Sequence, residues 1–132
     1  MQIYNTLSRK LETFESISPK HVGIYVCGPT VYGPPHLGHV RGPIVFDVLR
    51  RYLILQGYKV RFVRNITDVG HMADDFVEAG EDKMLAEAKR TRTDPFEIAK
   101  RYESRFHHDL KRLNVVRADA YPKASENMNE MI

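Results

Sequence analysis

The sequence predicts an α/β fold in which helices flank a parallel sheet. Three observations lead to this prediction: a short apolar run at residues 22–27, a following stretch with helical periodicity, and an alternating run at residues 58–66. A strand, a helix and a second strand within about 45 residues form a βαβ unit, whose crossover is almost always right-handed.

The first strand is predicted at VGIYVC, residues 22–27. This run is rich in β-branched and aromatic residues, as expected for a strand buried on both faces of a parallel sheet. Glycine and proline then interrupt regular structure repeatedly. The interrupting residues are Gly28, Pro29, Gly33, Pro34 and Pro35.

A helix is predicted from His36 onward, because apolar residues recur there at helical spacing and charged residues fall elsewhere on the wheel. Pro43 is expected in an early turn, and Gly57 is a natural terminator. The apolar set is Ile44, Val45, Val48, Leu49, Tyr52 and Leu53, and the charged set is Arg41, Asp47, Arg50 and Arg51.

The second strand is predicted at YKVRFVRNI, residues 58–66. Its residues alternate, with Val60 and Phe62 on one face and Lys59 and Arg61 on the other.

Polar clusters follow both predicted strands. One is Cys27 with its loop, and the other is NITDVGH, residues 65–71. Ligands of such sheets bind beyond the carboxyl ends of the strands, so both clusters should meet at one edge. The helix N-terminus between them offers N–H groups and partial positive charge, which suit phosphate. The sequence therefore predicts a nucleotide site at this edge.

The second half of the chain is predicted to be mainly helical. One helix is expected over residues 80–90, and another begins at the N-cap Asp94 with Pro95 in its first turn and Glu97 completing a capping-box-like pair. Residues 114–124 are expected to form a loop or a short strand. The last eight residues begin a helical pattern that then stops. We therefore expect the chain to be the front part of a longer protein. The apolar stripe of the second helix is Ala99, Tyr102, Phe106, Leu110 and Leu113.

Composition limits the class of protein. The 132 residues suit one domain or a piece of one. The chain has no apolar run long enough to cross a bilayer and no signal-peptide pattern at its start. A single cysteine cannot form an internal disulfide, which predicts a reducing cytoplasm. The balance of 20 Lys+Arg against 17 Asp+Glu permits a polyanionic partner without requiring one.

The pair His36 and His39 is the most specific local signal. Histidines three apart near a helix start can both face a phosphate chain and donate hydrogen bonds as charge develops. Gly38, which lacks Cβ, would let an adenine ring or ribose approach the backbone. The alternatives are a zinc pair or surface histidines, and the preceding strand and Gly/Pro loop favour the nucleotide interpretation.

Other candidate residues have two interpretations each. Cys27 is either an inert thiol or a zinc thiolate, and His21, His71, His107 and His108 have no convincing spacing as its co-ligands. Thr67 and Asp68 either cap and turn the chain or belong to the site. The basic residues between Lys89 and Arg117 form solvated helix faces or touch nucleic-acid phosphate.

Several segments together resemble the amino-terminal catalytic region of cysteinyl-tRNA synthetases, which are class I aminoacyl-tRNA synthetases. These are YVCGPTVYGPPHLGH, FDVLRRYLILQGYKVRFVRNITDVGH, IYNTLSRKLETF and LNVVRADAYPKAS. The combination of C-G-P-T-V-Y, H-x-G-H and R-N-I-T-D is far more specific than any one of its elements, and the resemblance covers nearly the whole chain.

The resemblance implies a Rossmann-like class I nucleotide-binding fold, with its first half in residues 1–72 and a helical extension in 73–132. It implies the partners ATP with Mg²⁺, L-cysteine and tRNA(Cys), with no membrane partner. We expect the parent enzyme to be monomeric, and an isolated half-sheet to pair with itself.

The resemblance also implies roles for individual residues. His36 and His39 would stabilise the α-phosphate, and Gly38 would lie against the adenosine. Cys27 matches a ligand of the zinc that binds the substrate thiolate, with the other ligands expected beyond Ile132, and Thr67 matches a residue of the amino-acid pocket. The ATP-binding set is Gly28, Pro29, Thr30, His36, Gly38 and His39.

The sequence departs from the family pattern in several places. Leu37 stands where isoleucine is more usual, the loop reads Gly33-Pro34-Pro35, and no K-M-S-K-S-like loop is present. EDKM at residues 81–84 does not substitute for that loop. We therefore expect these residues alone to be inactive. The alternatives are a ligase that joins cysteine to an amino-sugar and a nucleotide-binding module without catalysis.

Overall fold

The computed structural model describes residues 1–69 and 83–131, and it begins with a hairpin that the residue pattern did not predict. Strand β1 (Gln2–Asn5) pairs antiparallel with β2 (Lys10–Thr13). Asn5 Nδ2 donates to Glu12 Oε2 across the pair at 2.9 Å. Most residues of this hairpin are at least partly exposed, so it lies beside the core rather than within it.

The predicted strand–helix–strand unit is confirmed. Strand β3 (His21–Val26) pairs in parallel with β4 (Lys59–Arg64), and helix α1 (Leu37–Leu55) connects them. Gly57 follows the helix with φ of 81°, a left-handed conformation that glycine adopts without strain. The chain can therefore turn directly from α1 into β4.

Residues 119–124 extend this sheet on the other side of β4. The Arg64 N–H donates to the Ala120 carbonyl at 3.1 Å, and the Ile66 N–H donates to the Pro122 carbonyl at 2.9 Å. The bridges formed here are parallel. The segment predicted as a loop or short strand is thus strand-like, and it places β4 between two neighbours.

Burial on β3 differs from the prediction of two buried faces. Val26 is buried and Ile24 is half-buried, whereas His21, Gly23 and Tyr25 on the alternate face are exposed. Among the described residues, packing covers one face of this strand only. On β4, the predicted alternation is confirmed, because Phe62 is buried whereas Lys59 and Arg61 on the opposite face are exposed.

The predicted apolar stripe of α1 packs inward only in part. Leu53 is buried, but Val45 and Val48 are 57% and 62% exposed, whereas Asp47 and Arg50 are each 8% exposed. The buried charges are paired: Arg50 donates to the Arg117 carbonyl and the Asp119 carboxylate, at 2.7 and 3.0 Å. Such bonding offsets the desolvation that would otherwise keep charges at the surface.

Pro43 lies in an early turn of α1, as predicted. It is in the second turn, because the helix begins after its N-cap His36. Without an N–H, Pro43 cannot donate to the carbonyl of His39.

The described residues from 83 onward form three helices: α2 (Lys83–Thr91), α3 (Pro95–Arg112) and α4 (Met128–Met131). The predicted helix over residues 80–90 is confirmed from Lys83, and its first residues lie outside the described part. The Asp94 carboxylate caps α3 by accepting from the Phe96 N–H at 2.8 Å, as predicted. None of the helices in residues 1–69 and 83–131 combines the length and apolar character needed to cross a bilayer.

One apolar cluster joins α3 to the loop and helix after β3. The buried stripe of α3 packs there, although Leu113 at its end is exposed. Because the cluster contains residues from both halves of the chain, α3 holds the loop after β3 against the sheet. Its buried members are Val31, Val40, Ile66, Ala99, Phe106 and Leu110.

Candidate functional site

The loop after β3 runs beside the end of β4, so the two polar clusters meet as predicted. The Thr67 N–H donates to the Pro29 carbonyl, and the Val31 N–H donates to the Thr67 carbonyl, both at 3.1 Å. Thr30 and Thr67 form a parallel bridge. The parallel ladder therefore continues past both strands, and it brings residues 27–31 alongside residues 65–67. The predicted cluster also included His71, which lies outside the described residues.

Gly28 and Asn65 are in close contact at this edge. The Gly28 N–H donates to Asn65 Oδ1 at 2.8 Å. A Cβ atom built on Gly28 would lie 1.6 Å from the Asn65 carbonyl oxygen, so no other residue fits without moving the backbone. Asn65 Nδ2 also donates to Thr67 Oγ1 at 3.3 Å. One amide side chain thus joins the loop to the Thr67 hydroxyl, a connection that the sequence analysis missed.

Cys27 follows the last residue of β3 and its side chain is exposed. Zinc in proteins takes three or four protein ligands. Within residues 1–69 and 83–131, no group of three or more His, Cys, Asp or Glu side chains could hold a metal ion. The described residues offer an accessible thiol but do not by themselves form a zinc centre.

His36 and His39 cap the N-terminus of α1. The Gly38 N–H donates to His36 Nδ1 at 3.0 Å, and the His36 N–H donates to His39 Nδ1 at 3.2 Å. This is a reciprocal capping box in which histidines take the places usually held by Ser or Thr and Glu or Gln. The two rings stack with centroids 3.9 Å apart.

This arrangement determines which ring nitrogen can donate. Because Nδ1 of each histidine accepts a backbone N–H, the neutral ring carries its proton on Nε2. Partial burial, and then the nearby His36, lower the pKa of His39 below its ordinary value. The site therefore presents the ring Nε2–H groups as donors at the N-terminus of α1, where the helix dipole also favours an anion.

Gly38 contacts the His36 ring. A Cβ atom on Gly38 would lie 2.8 Å from His36 Cε1 and 3.1 Å from Nδ1. The absence of a side chain at this position gives the His36 ring room to turn back onto the helix.

For Asp68, the sequence left two interpretations open, a residue that caps or turns the chain and a member of the site. It is 7% exposed, and its carboxylate accepts the Ser125 N–H at 2.9 Å and the Ser125 hydroxyl at 2.6 Å. Two hydrogen bonds to a partner 57 residues away hold the end of the 119–124 segment against β4. Its role in this structure is to fasten the sheet edge.

A cavity of about 960 Å³ adjoins this edge between α3 and residues 114–126, away from the two capping histidines. Lys123 Nζ lies 2.9 Å from Glu103 Oε2 within it. Burial lowers the pKa of His107, and Glu103 partly opposes this shift. The basic residues between Lys89 and Arg117 were predicted to contact solvent or phosphate. Three of them, Lys100, Lys111 and Arg117, line this cavity.

Comparison with known proteins gives a consistent result. A family model described as tRNA synthetases class I (C) catalytic domain matches residues 13–132. A cysteine–tRNA ligase from Thermus thermophilus is 55% identical over 130 residues, which are 98% of this chain and 27% of that relative.

Two further relatives with the same name support the match. The protein from Porphyromonas gingivalis is 51% identical and the one from Chlorobium chlorochromatii is 48% identical, each over 132 residues. These alignments cover 100% of this chain and 27% of each relative. The chain thus spans about a quarter of the length of the curated relatives that it matches.

Proposed function

Because the chain belongs to the family of class I (C) tRNA synthetase catalytic domains, we propose that it forms part of the active site of a cysteine–tRNA ligase. The complete enzyme would join L-cysteine to ATP, giving cysteinyl-adenylate and pyrophosphate, and would then transfer the cysteinyl group to the terminal adenosine of tRNA(Cys). The observation that carries this proposal is the meeting of Cys27, Thr67 and the capped helix N-terminus around one sheet edge.

In this proposal the fold is the first half of a Rossmann-like nucleotide-binding domain. Residues 1–72 supply β3, β4 and α1, and residues 73–132 supply the mainly helical extension together with the strand-like segment 119–124 beside β4. Ligand binding beyond the carboxyl ends of the strands is the general behaviour of such sheets.

His36 and His39 bind the α-phosphate of ATP in the proposed reaction. Attack of the cysteine carboxylate on that phosphorus forms the new P–O bond and releases pyrophosphate. Negative charge on the α-phosphate oxygens is then met by the two Nε2–H groups, since both Nδ1 atoms already accept backbone N–H groups. Gly28, Pro29, Thr30 and Gly38 are assigned to the ATP-binding side.

Cys27 and Thr67 are assigned to the amino-acid side. Their exposed or half-buried side chains lie at the end of neighbouring strands. Cys27 would contribute one thiolate ligand to a zinc ion, which would distinguish sulfur from oxygen by its affinity for a soft thiolate. The described residues do not complete that ligand set, so the remaining ligands must come from elsewhere in the enzyme.

The test is cysteine-dependent ATP–pyrophosphate exchange by the product of the complete open reading frame that contains this sequence. We expect exchange with L-cysteine and far less with L-serine, followed by cysteinylation of tRNA(Cys). Exchange without tRNA charging, but with transfer to an amino-sugar, would identify the other class of cysteine ligase. Nucleotide binding without exchange would contradict the proposal.

A further inference from the structure

We propose that Asn65 is a positioning residue that presents the Thr67 hydroxyl to the bound amino acid as a hydrogen-bond donor. This inference rests on the proposed function, because it concerns the residue assigned to the amino-acid side. It adds a residue to which neither the family resemblance nor the strand pattern gives a role.

The direction of the hydrogen bonds follows from the chemistry of the groups. A backbone N–H can only donate, so the atom of Asn65 that faces Gly28 at 2.8 Å must be the carbonyl oxygen Oδ1. The other end of the same amide is then the NH₂ group, and it faces Thr67 Oγ1 at 3.3 Å. Exchanging these two atoms would place the NH₂ group against the Gly28 N–H, where two donors face each other, so the Gly28 bond fixes the orientation of the amide.

These bonds determine the direction in which the Thr67 hydroxyl can donate its hydrogen. Its oxygen accepts from Asn65 Nδ2, so its own hydrogen does not point back along that bond and can be donated to another acceptor. The Thr67 backbone is held on both sides, by the Pro29 carbonyl and the Val31 N–H. With the backbone and the acceptor side fixed, the hydroxyl hydrogen is directed to an anionic atom of the amino acid, its carboxylate or thiolate.

Gly28 is the reason that Asn65 can perform this role. The loop approaches so closely that a Cβ on Gly28 would overlap the main-chain carbonyl oxygen of Asn65. That approach brings the Gly28 N–H within reach of Oδ1 and places Cys27 next to it in the chain. The Asn65 amide therefore couples the position of the Cys27 loop to the orientation of the Thr67 hydroxyl.

Asn65→Asp tests this polarity without changing the size of the side chain. One carboxylate oxygen can still accept the Gly28 N–H, but the other can only accept from Thr67, which must then turn its hydrogen away from the substrate. In exchange assays with the complete protein, we expect the KM for L-cysteine to rise about tenfold and the KM for ATP to stay within about twofold.

Three matched variants separate positioning from support of the loop. Asn65→Ala loses both bonds and should raise the KM values for cysteine and ATP together. Thr67→Val removes the hydroxyl and should reproduce the cysteine defect of Asn65→Asp. In the Thr67→Val background, Asn65→Asp should add less than about twofold, because its target is already absent.

A pH series gives a readout that a purely structural role would not move. Protonation of the introduced carboxyl restores an O–H donor toward Thr67, so the ratio of mutant to wild-type KM for cysteine should fall as pH is lowered.

The inference is overturned if Asn65→Asp leaves the KM for cysteine unchanged, raises both KM values alike, or has its full effect without the Thr67 hydroxyl. If Asn65→Asp does not fold by circular dichroism, an unchanged KM for cysteine in Thr67→Val overturns it instead. Absence of cysteine-dependent exchange in the wild-type protein is a different result, because it removes the proposed function itself and this role with it.

Discussion

His36 and His39 cap the same helix end through a reciprocal pair of hydrogen bonds, with both Nδ1 atoms as acceptors. The consequence is that structural support and chemistry use different atoms of the same rings. The Nδ1 atoms satisfy backbone N–H groups of α1, and the Nε2–H groups are the donors that can meet a phosphate.

This separation can be tested with side chains that keep the cap and remove the imidazole. Asn is a strong N-cap and Gln is a regular third residue of a capping box, so His36→Asn and His39→Gln should melt within a few degrees of wild type. Each should lower the exchange rate about 100-fold by removing an Nε2–H donor. Circular dichroism melts and exchange assays on the complete protein check both parts, and His36→Ala should lose stability as well. Full exchange activity in both cap-preserving variants would contradict the assignment.

Gly28→Ala should destabilise the protein, because the new methyl group would overlap the Asn65 carbonyl. The expected loss is about 1–3 kcal/mol in the free energy of unfolding, measured by urea denaturation. Gly33→Ala is the matched control in the same loop, since nothing lies within 4 Å of its added Cβ. Equal effects of the two substitutions would show that the close approach at Gly28 is not essential.

Stability should fall when the pH is lowered below about 6.5, the ordinary pKa of histidine. Burial lowers the pKa values of His39 and His107, so the folded state binds fewer protons than the unfolded state in this range. Their contribution is therefore complete above pH 6.5 and is lost as the pH falls toward the lowered folded values. Urea midpoints at pH 7.5 and 5.5 measure the effect. His107→Gln should reduce the difference, and an unaltered difference in both His107→Gln and His39→Gln would refute this explanation.

Asp119→Ala should cost about 2 kcal/mol of unfolding free energy, because two donors lose the same carboxylate. Arg50 is almost buried and donates to Asp119 Oδ1, and the Phe62 N–H donates to Oδ2 at 2.6 Å. The pair Arg105 and Asp109 provides an exposed control, so Arg105→Ala should change stability by less than about 0.5 kcal/mol. Chemical denaturation of both variants makes the comparison, and similar losses would argue against a special role for the Asp119 bonds.

The isolated 132-residue chain should self-associate through the exposed apolar side of α1. Val45, Val48 and Leu55 are 57%, 62% and 80% exposed there, and contiguous apolar surface favours association. Light scattering after size-exclusion chromatography should detect species larger than a monomer. Val45→Glu combined with Val48→Glu should shift them to monomer, whereas Leu7→Glu on the hairpin turn should not. A monomeric wild-type chain would contradict this expectation.

The strand–helix–strand order and the meeting of two polar clusters at one edge were predictable from the sequence. Both depend on rules that act along short stretches of chain: the apolar run of β3, the periodicity of α1, the alternation around Phe62, and the breaks at glycine and proline. The pair His36 and His39 was found in the same way, because its spacing places both residues at a helix start.

The tertiary structure alone decided which side of α1 is buried and how the edge is fastened. Arg50 can lie inside only because acceptors at residues 117 and 119 come from far along the chain. Asn65 and Gly28 meet across 37 residues, and Asp68 and Ser125 across 57. The physical reason is that a hydrogen-bond partner brought from a distant segment changes the cost of burying a polar group, and local periodicity carries no information about that partner.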